Sequence, residues 1–485
     1  MASDLLGIGK SGLFAAKQSM ATTSHNIANA NTDGFSRQEV RTETAPSLET
    51  GHYVIGTGVE IQSIKRSHDE LIEKKLNLAI SQNQFNQERT TRLGEIEEIF
   101  NEINSDGLNK VLNRFFNSFR ELSNQPDNET VREIVRENAK IVVDDFKRLR
   151  GDLNESRERM NNKIKLSIDE MNNLTKQIAK LNTDINVEEV NGGMANDLRD
   201  QRDRALRTLS EFVPLHCYSD SNGQFVVSID GVGSIVAGSL AQEFATNSQV
   251  EDGKKITEPG TLDIYFKNRP SVSIGSKIKT GTIGALLKTR NDELGTLEKQ
   301  LDELAHGLAL STNAIHRRGF KNGIIRTDEL GQPTSTEKIT GINFFKEPLD
   351  LHRAAEFISL SDDVKSDVNN ICTAAEVNKP GDNRIALGIS KLQHEKILGG
   401  GTTSFEEQYL TSVSKVGLQT GKSKIDLEQS QGILTQAKSI KERLAGVSLD
   451  EEAANMVRYQ NAYEASAKMI KAADEMFQAV LGIMR

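Results

Sequence analysis

The chain has 485 residues, with 60 Lys and Arg against 69 Asp and Glu, a formal net charge of −9, no Trp and 5% aromatic residues. That length fits roughly two to four domains, and a hydrophobic fraction of only 36% suits elongated helical domains better than one compact enzyme. The acidic balance, without a face of Lys and Arg interleaved with aromatics, argues against a nucleic-acid partner, and no apolar stretch approaches the roughly 20 residues that span a bilayer.

From Leu6 to Ala30, small or apolar residues recur at heptad spacing. Leu6, Leu13, Met20 and Ile27 lie seven apart, with Gly9, Ala16, Thr23 and Ala30 three residues behind each. This period predicts a helix built to lie against other helices. It runs into Ser24-His25-Asn26-Ile27-Ala28-Asn29-Ala30-Asn31-Thr32-Asp33-Gly34-Phe35-Ser36-Arg37-Gln38. Asn and Gly tolerate the left-handed backbone that stops a helix, small side chains around Ile27 permit close approach of a second helix, and Phe35 leads an extended segment outward.

The prolines leave 1–45, 127–213 and 381–485 free for long helices. A first tract from Asp69 to Ile103 carries Leu71, Leu78, Phe85, Leu93, Ile96 and Phe100. Asp106-Gly107 separates it from a second with Leu108, Val111, Leu112, Phe115, Phe119 and Leu122, the pattern of a core-facing helix. The third starts at a cap, Asp127 or Asn128, and reaches about Val187. Within it Ile164, Met171, Ile178 and Ile185 are spaced by seven, with Met160, Leu174 and Leu181 four residues ahead. Gly192-Gly193 ends it. A shorter helix, Asn196 to Val213, contains Leu198-Arg199-Asp200-Gln201-Arg202-Asp203, whose alternating signs read as a salt-bridged helix face rather than a metal or carboxylate cluster.

From Pro214 the period changes to short, β-branched, Gly-punctuated runs at 225–229, 234–236, 262–266 and 272–274, which predict strands. Helical spacing returns with Leu286, Leu294, Leu297, Leu301, Leu304, Leu308 and Ile315. A mixed stretch follows, with a strand expected at 356–360, and helix then dominates to the end, interrupted at Gly399-Gly400-Gly401 and near Gly446. The last helix carries Leu449, Ala453, Met456, Tyr463, Ala467, Ile470, Phe477, Leu481 and Met484 at alternating steps of three and four, skipping Gln460 and Asp474. The expected fold is mainly α with a β-rich insert. Residues 1–65 and 446–485 would form a terminal coiled-coil domain. Residues 66–213, 284–320 and 381–445 would form a helical rod, and 214–283 with 321–380 a β-rich outer insert.

No chemistry-bearing motif withstands inspection. Gly7-Ile8-Gly9-Lys10-Ser11-Gly12 matches a dinucleotide fingerprint literally, but only six residues precede it and no βαβ unit follows. It also fails as a phosphate loop because Asp4 stands where Gly is required, and Gly421-Lys422-Ser423 fails likewise at Val416. The eight His residues are scattered, without an H-E-x-x-H or G-x-S-x-G pattern, and His25 has no partner acid. Cys217 and Cys372 are isolated and read as semi-buried thiols. No catalytic, cofactor-binding or metal-binding residue is expected.

The Ser24–Gln38 stretch resembles the N-terminal signature of the axial proteins of the bacterial flagellum (rod, hook and hook-associated proteins), and Phe35–Gln38 resembles the hook-associated form of it. Gly446–Glu452, Tyr459–Lys468 and Asp474–Phe477 are similar to the closing helix of those members. Asp200–Asp203, Thr312–His316 and Gly381–Asn383 also look alike, whereas the β-rich insert shows no resemblance and is small for the family. The resemblance implies a structural subunit, without cofactor, that forms a junction ring between hook and filament. Its paired terminal helices would make the inner tube and its β-rich part would face outward, outside the cell. It further implies export, unfolded, through the flagellar type III apparatus, a dedicated chaperone on the C-terminal helix, and assembly with further copies, the hook protein and a second junction protein. The absence of a basic, apolar, cleavable leader pattern accords with that route.

The two terminal stripes, with Asn29, Gly34 and Phe35, are the expected subunit interface. Isolated helices of this length are marginal in water, so both ends are expected to order only on assembly. Gln460 and Asp474 would either set register or face solvent. Three alternatives compete. A hook or rod subunit is disfavoured by Phe35–Gln38 and Asp450–Glu452. A cell-wall hydrolase would need paired acids in a cleft, and a coiled-coil adhesin would not need complementary stripes at opposite ends.

Overall fold

The computed structural model describes residues 2–50, 53–100, 107–190, 192–221, 223–247, 262–323, 339–347, 350–379 and 381–483. Helix α1 (Ala2–Ala28) stops in the Asn-rich turn. The chain then forms strands β1 (Gln38–Thr44), β2 (Leu48–Thr50), β3 (Tyr53–Ile55) and β4 (Val59–Arg66). β1 and β4 pair antiparallel with Gln38 opposite Arg66, and the β2–β3 hairpin lies between them in sequence.

The Asp69 carboxylate accepts from the Leu71 and Ile72 amides at 2.8 and 3.2 Å and opens α2 (Glu70–Ile99). Helix α3 (Leu108–Asn124) follows, then α4 (Glu129–Val190), 62 residues long and capped by Asn128, which accepts from the Thr130 amide at 3.0 Å. α4 ends at Gly192, whose φ of +83° only glycine adopts at no cost. Its N–H reaches the Glu189 carbonyl at 3.0 Å and that of Gly193 reaches Glu188 at 3.2 Å. Helix α5 (Asn196–Phe212) turns back along α4.

The rod core forms where the apolar period predicts it. Leu108, Val111, Leu112, Phe115, Phe119 and Leu122 of α3 are buried, as are Ile164, Met171, Ile178 and Ile185 of α4. In α2, Leu93 and Ile96 are buried, but Leu71 and Leu78 are exposed by 69% and 62%, and Leu76 and Ile80 take the core positions instead.

Strands β5 (His216–Ser219), β6 (Phe225–Ile229), β7 (Gly233–Ala237) and β8 (Leu240–Ala241) form one antiparallel sheet. β9 (Phe244–Asn247), β10 (Asp263–Phe266) and β11 (Arg269–Ser273) form a second, in the order β11-β10-β9. The predicted runs fall on β6, β7 and β10 and overlap the end of β11. β5, β8 and β9 carry no run long enough to be seen in sequence. Both sheets ride on the second half of α4: Asn172 exchanges hydrogen bonds of 2.9 and 2.8 Å with the Phe244 backbone, and Asn182 donates to the Gly238 carbonyl at 2.9 Å.

Helix α6 (Gly281–Lys288), a π-helical turn at 289–294 and α7 (Gly295–His316) make one continuous element. The described part of 321–380 packs on the rod. Phe344 and Phe345 lie 5.3 to 5.9 Å, ring centre to ring centre, from Phe115 and Phe119. The strand expected at 356–360 is instead helix α8 (Ala354–Phe357) with a lone bridge, Phe345 to Leu360. Two backbone amides, of Arg353 and Ala355, donate to Asp302 of α7 at 3.0 Å each and hold the turn. Helices α9 (Asp362–Ser366) and α10 (Arg384–Lys391) precede α11 (Phe405–Ala445), which opens on a Ser404–Glu407 capping box. α12 (Leu449–Ile483) closes the chain. α11 runs antiparallel along α2 and α12 antiparallel along α1. The fold is mainly α, with paired terminal helices and a small mid-chain β insert.

Candidate functional site

On the α1 side, the seam between α1 and α12 consists of small and polar residues. On α1 Gly9, Ala16, Ser19, Thr23 and Asn26 are buried, with Gly12 half-buried, a row stepping by three and four. On α12 the matching row is Glu452, Met456, Tyr459, Tyr463, Ser466, Ile470 and Ala473, each buried or half-buried. A Cβ on Gly9 would stand 2.8 Å from Ile470 Cγ1, and one on Gly12 2.9 Å from Ser466 Oγ, so the backbones approach as closely as glycine permits.

Three of the four residues in one row of the α1 pattern read from sequence lie in this seam, Gly9, Ala16 and Thr23, and the fourth, Ala30, falls beyond the end of the helix. The other row, Leu6, Leu13, Met20 and Ile27, is offset by one residue from the buried Ser19 and Asn26. Leu6 and Ile27 are exposed by 45% and 37%, and Leu13 and Met20 are half-buried. On α12, Met456, Tyr463, Ala467 and Ile470 lie at or beside the seam, while Leu449 and Phe477 are exposed by 54% and 53%. Gln460 and Asp474 are exposed, outside the seam, so neither sets its register. The side chain of Leu481, like Met484, lies outside the described residues. The offset has a physical cause. Apolar periodicity marks large side chains, whereas α1 presents to the seam residues small enough for close contact with α12 and leaves its own large ones at the edge or outside.

The turn after α1 is tied locally. Asn29 donates to the His25 carbonyl at 3.0 Å and accepts from Thr32 at 3.2 Å, and the Phe35 ring lies 5.4 Å from His25. Gly34 has a φ of +78° beside Arg204 and Arg207. A Gly34→Ala variant should cost about 1–2 kcal/mol through the left-handed backbone alone, because the arginine tips can move aside. Faster proteolytic nicking within 30–37 under native conditions is the expected signature, and unchanged nicking would contradict it.

Beyond the turn the extended segment is clamped from two sides. Asn26 donates to the Gln38 carbonyl and accepts from its amide, both at 2.9 Å, and also donates to Glu452 at 3.2 Å. Glu452, 1% exposed, pairs with Arg37 at 2.7 Å. The Arg37 amide donates to Ala445 at 2.9 Å, which fixes the α11–α12 corner to the same segment. On the other side Ser36 gives its amide and hydroxyl to Asp200, both at 2.8 Å, and Arg66 donates to Asp200 and Asp203 at 2.7 and 2.6 Å. Burial works against the Arg66 charge, but Asp203 and Asp200 together raise its pKa above the ordinary arginine value.

The Asp/Arg run of α5 is therefore not a solvated face paired within its own helix. Asp200, Arg202 and Asp203 are buried, Gln38 donates to Asp197 at 2.8 Å, and Arg204 donates to the Asp33 carbonyl. Opposite charges four apart, Arg199 with Asp203 and Asp200 with Arg204, made the intrahelical reading natural. Nothing local to the run shows that its partners lie 134 to 171 residues upstream.

His68, Glu73 and Asp203 bring ligand atoms within 4.8 Å of one another. Cations already serve these acids, Arg66 on Asp203 and Arg207 and Lys441 on Glu73 at 3.4 Å each, so the cluster is an ion-pair network and no metal is assigned to it. Cys217 is half-buried, its thiol pushed up to about 12 by burial, and Cys372 is fully buried.

Comparison with known proteins bears on what this terminal device belongs to. Residues 93–330 match the family model "Flagellar hook-associated protein FlgK helical domain". Residues 6–35 match "Flagella basal body rod protein", and 443–483 match "Flagellar basal body rod FlgEFG protein C-terminal". The chain is 27% identical to flagellar hook-associated protein 1 of Bacillus subtilis (strain 168), covering 100% of this chain and 99% of that one. It is 25% identical to the Escherichia coli (strain K12) protein of the same name, covering 99% and 100%. The solved flagellar hook junction protein FlgK from Burkholderia pseudomallei shares the fold, with a TM-score of 0.64 at 16% identity over 77% of this chain and 100% of that one. The class is thus an axial structural protein of the bacterial flagellum. Within that class the chain is similar over its full length to flagellar hook-associated protein 1.

Proposed function

We propose that this chain is a non-catalytic subunit of the junction between hook and filament, outside the cell, assembling as a ring through the outer faces of its paired terminal helices. One observation carries the reading: α1 meets α12 through small and polar residues, and the pair leaves Leu6, Phe14 and Ile27 of α1 and Val457, Met469, Met476 and Phe477 of α12 exposed by 37–60%. A helix pair with its large apolar side chains outward is poorly suited to water and well suited to a tube wall of identical neighbours.

The terminal pair, with β1–β4, is a unit pinned to the rod at Asp200, and the sheets carried on α4 are the outer insert. Partners in this reading are further copies, the hook protein and a second junction protein. Export proceeds unfolded through the flagellar type III apparatus, with a chaperone covering the apolar face of α12 beforehand. Burial against neighbours offsets the entropy of ordering both ends.

Deleting 1–30 or 450–485 should give cells with hooks, without filaments, and with flagellin lost to the medium. Normal filaments from either truncation would refute the reading.

A further inference from the structure

The inversion that marks the terminal pair recurs on a rod helix. From Ser412 to Ser430, α11 buries Ser412, Val416, Thr420, Ser423 and Ser430, a mainly hydroxyl-bearing face. Thr90 donates to the Ser423 carbonyl at 3.0 Å, and Asn86 to the Asp426 carbonyl at 3.0 Å, so the α2 contact is polar. Beyond its first turns, where Phe405 and Tyr409 are buried, the helix turns large apolar residues outward: Leu410, Leu418, Ile425 and Ile433 are exposed by 44%, 76%, 67% and 51%.

At 100° per residue these four occupy one side of the helix, with Gly421 and Gly432 between them. Neither glycine has a positive φ, and a Cβ on either would meet nothing within 4 Å among the described residues. Glycine is a poor helix-interior residue, so the chain's own packing gives no reason for these two. A neighbouring backbone drawn close over the ridge does.

We infer that the outer face of α11 is a lateral interface occupied by a second copy of this chain. The inference rests on the junction reading above and extends it from the terminal helices into the rod. The occupant follows from continuity and length. α11 passes into α12 through residues 446–448 alone, and its ridge is followed in sequence by the exposed Leu444, Leu449 and Val457. The ridge from Leu418 to Ile433 runs about 22 Å along the helix, a lengthwise contact of the kind neighbours in a ring make. Such a contact is heterologous, the ridge meeting a different face of the next copy, and it closes by rotation.

The test places a photo-crosslinking residue at Ile425 or at Phe477 of the full-length chain in motile cells. The expected product from Ile425 has the mass of two copies. Self-linked product from Phe477 with none from Ile425, or Ile425 linked only to a different protein, would overturn the inference and leave the junction reading standing. No flagellar product from either position would overturn both. As a second arm, Leu418→Glu with Ile425→Glu should leave the melting temperature of the isolated chain unchanged and reduce filament-bearing cells at least tenfold. Normal filaments on that variant would count against the interface.

Discussion

Asp200→Ala should release the N-terminal segment from the rod at a cost of about 3 kcal/mol, while the rod itself stays folded. The carboxylate is 5% exposed and serves three donors: the Ser36 amide, the Ser36 hydroxyl and Arg66. Truncating it strands two buried donors of Ser36, each with a desolvation penalty of about 1–3 kcal/mol where water cannot follow. Arg66 keeps Asp203 at 2.6 Å, so its charge is not left bare, and the total stays near the lower end of the range for a broken buried pair. Asp200→Asn can still accept one bond from Ser36 and should lose about half as much. Hydrogen exchange reports this directly: amides of 36–44 and 59–66 should lose protection together while α4 and α7 keep theirs. If α4 loses protection equally, Asp200 supports the whole rod rather than the joint. Uniform protection in the variant would mean that the segment is held by the Asn26–Gln38–Glu452 clamp alone.

The joint also shows where sequence reading succeeds and where it stops. Long helices with regular apolar period, α3 and α4 above all, are legible because burial imposes the 3.6-residue repeat on the chain itself. The Asn-rich turn was legible for the same local reason, Gly34 being needed at positive φ. The α1 seam was half legible, since close helix packing selects small residues and the eye for periodicity selects large ones. Short strands β5, β8 and β9 gain their stability from neighbours and leave little trace in four residues or fewer. The socket on α5 was not legible as a socket, because a charge pattern does not state which of its partners is on another segment. Thr312–His316 behaves alike. Asn313 bonds the amides of Phe344 and Phe345 at 2.9 Å each and the Phe345 carbonyl at 2.9 Å, contacts that only the tertiary fold brings together.

His316, at the end of that stretch, gives the rod an acid limit. Its ring is fully buried, with Nδ1 2.7 Å from the Ile342 carbonyl and Nε2 2.9 Å from the Cys372 amide. The carbonyl needs a donor and the amide needs an acceptor, so the ring must be neutral with its proton on Nδ1. Burial, opposed by the Ile342 bond and reinforced by the nearby Arg132, lowers its pKa to about 4 from an ordinary value of 6.5. A depressed folded value means that the unfolded chain takes the proton first. The stabilisation is therefore complete above pH 6.5 and is lost as pH falls toward 4, by about 3 kcal/mol at 1.36 kcal/mol per unit. Carboxylates held low by their partners contribute losses of their own in acid, so wild type alone does not isolate the histidine. His316→Gln lacks the titrating group, and although its stability at pH 7 is lower, its urea midpoint should fall less between pH 7 and pH 4.5. Parallel falls in the two proteins would show that protonation of His316 is not what weakens the contact between 342–372 and α7.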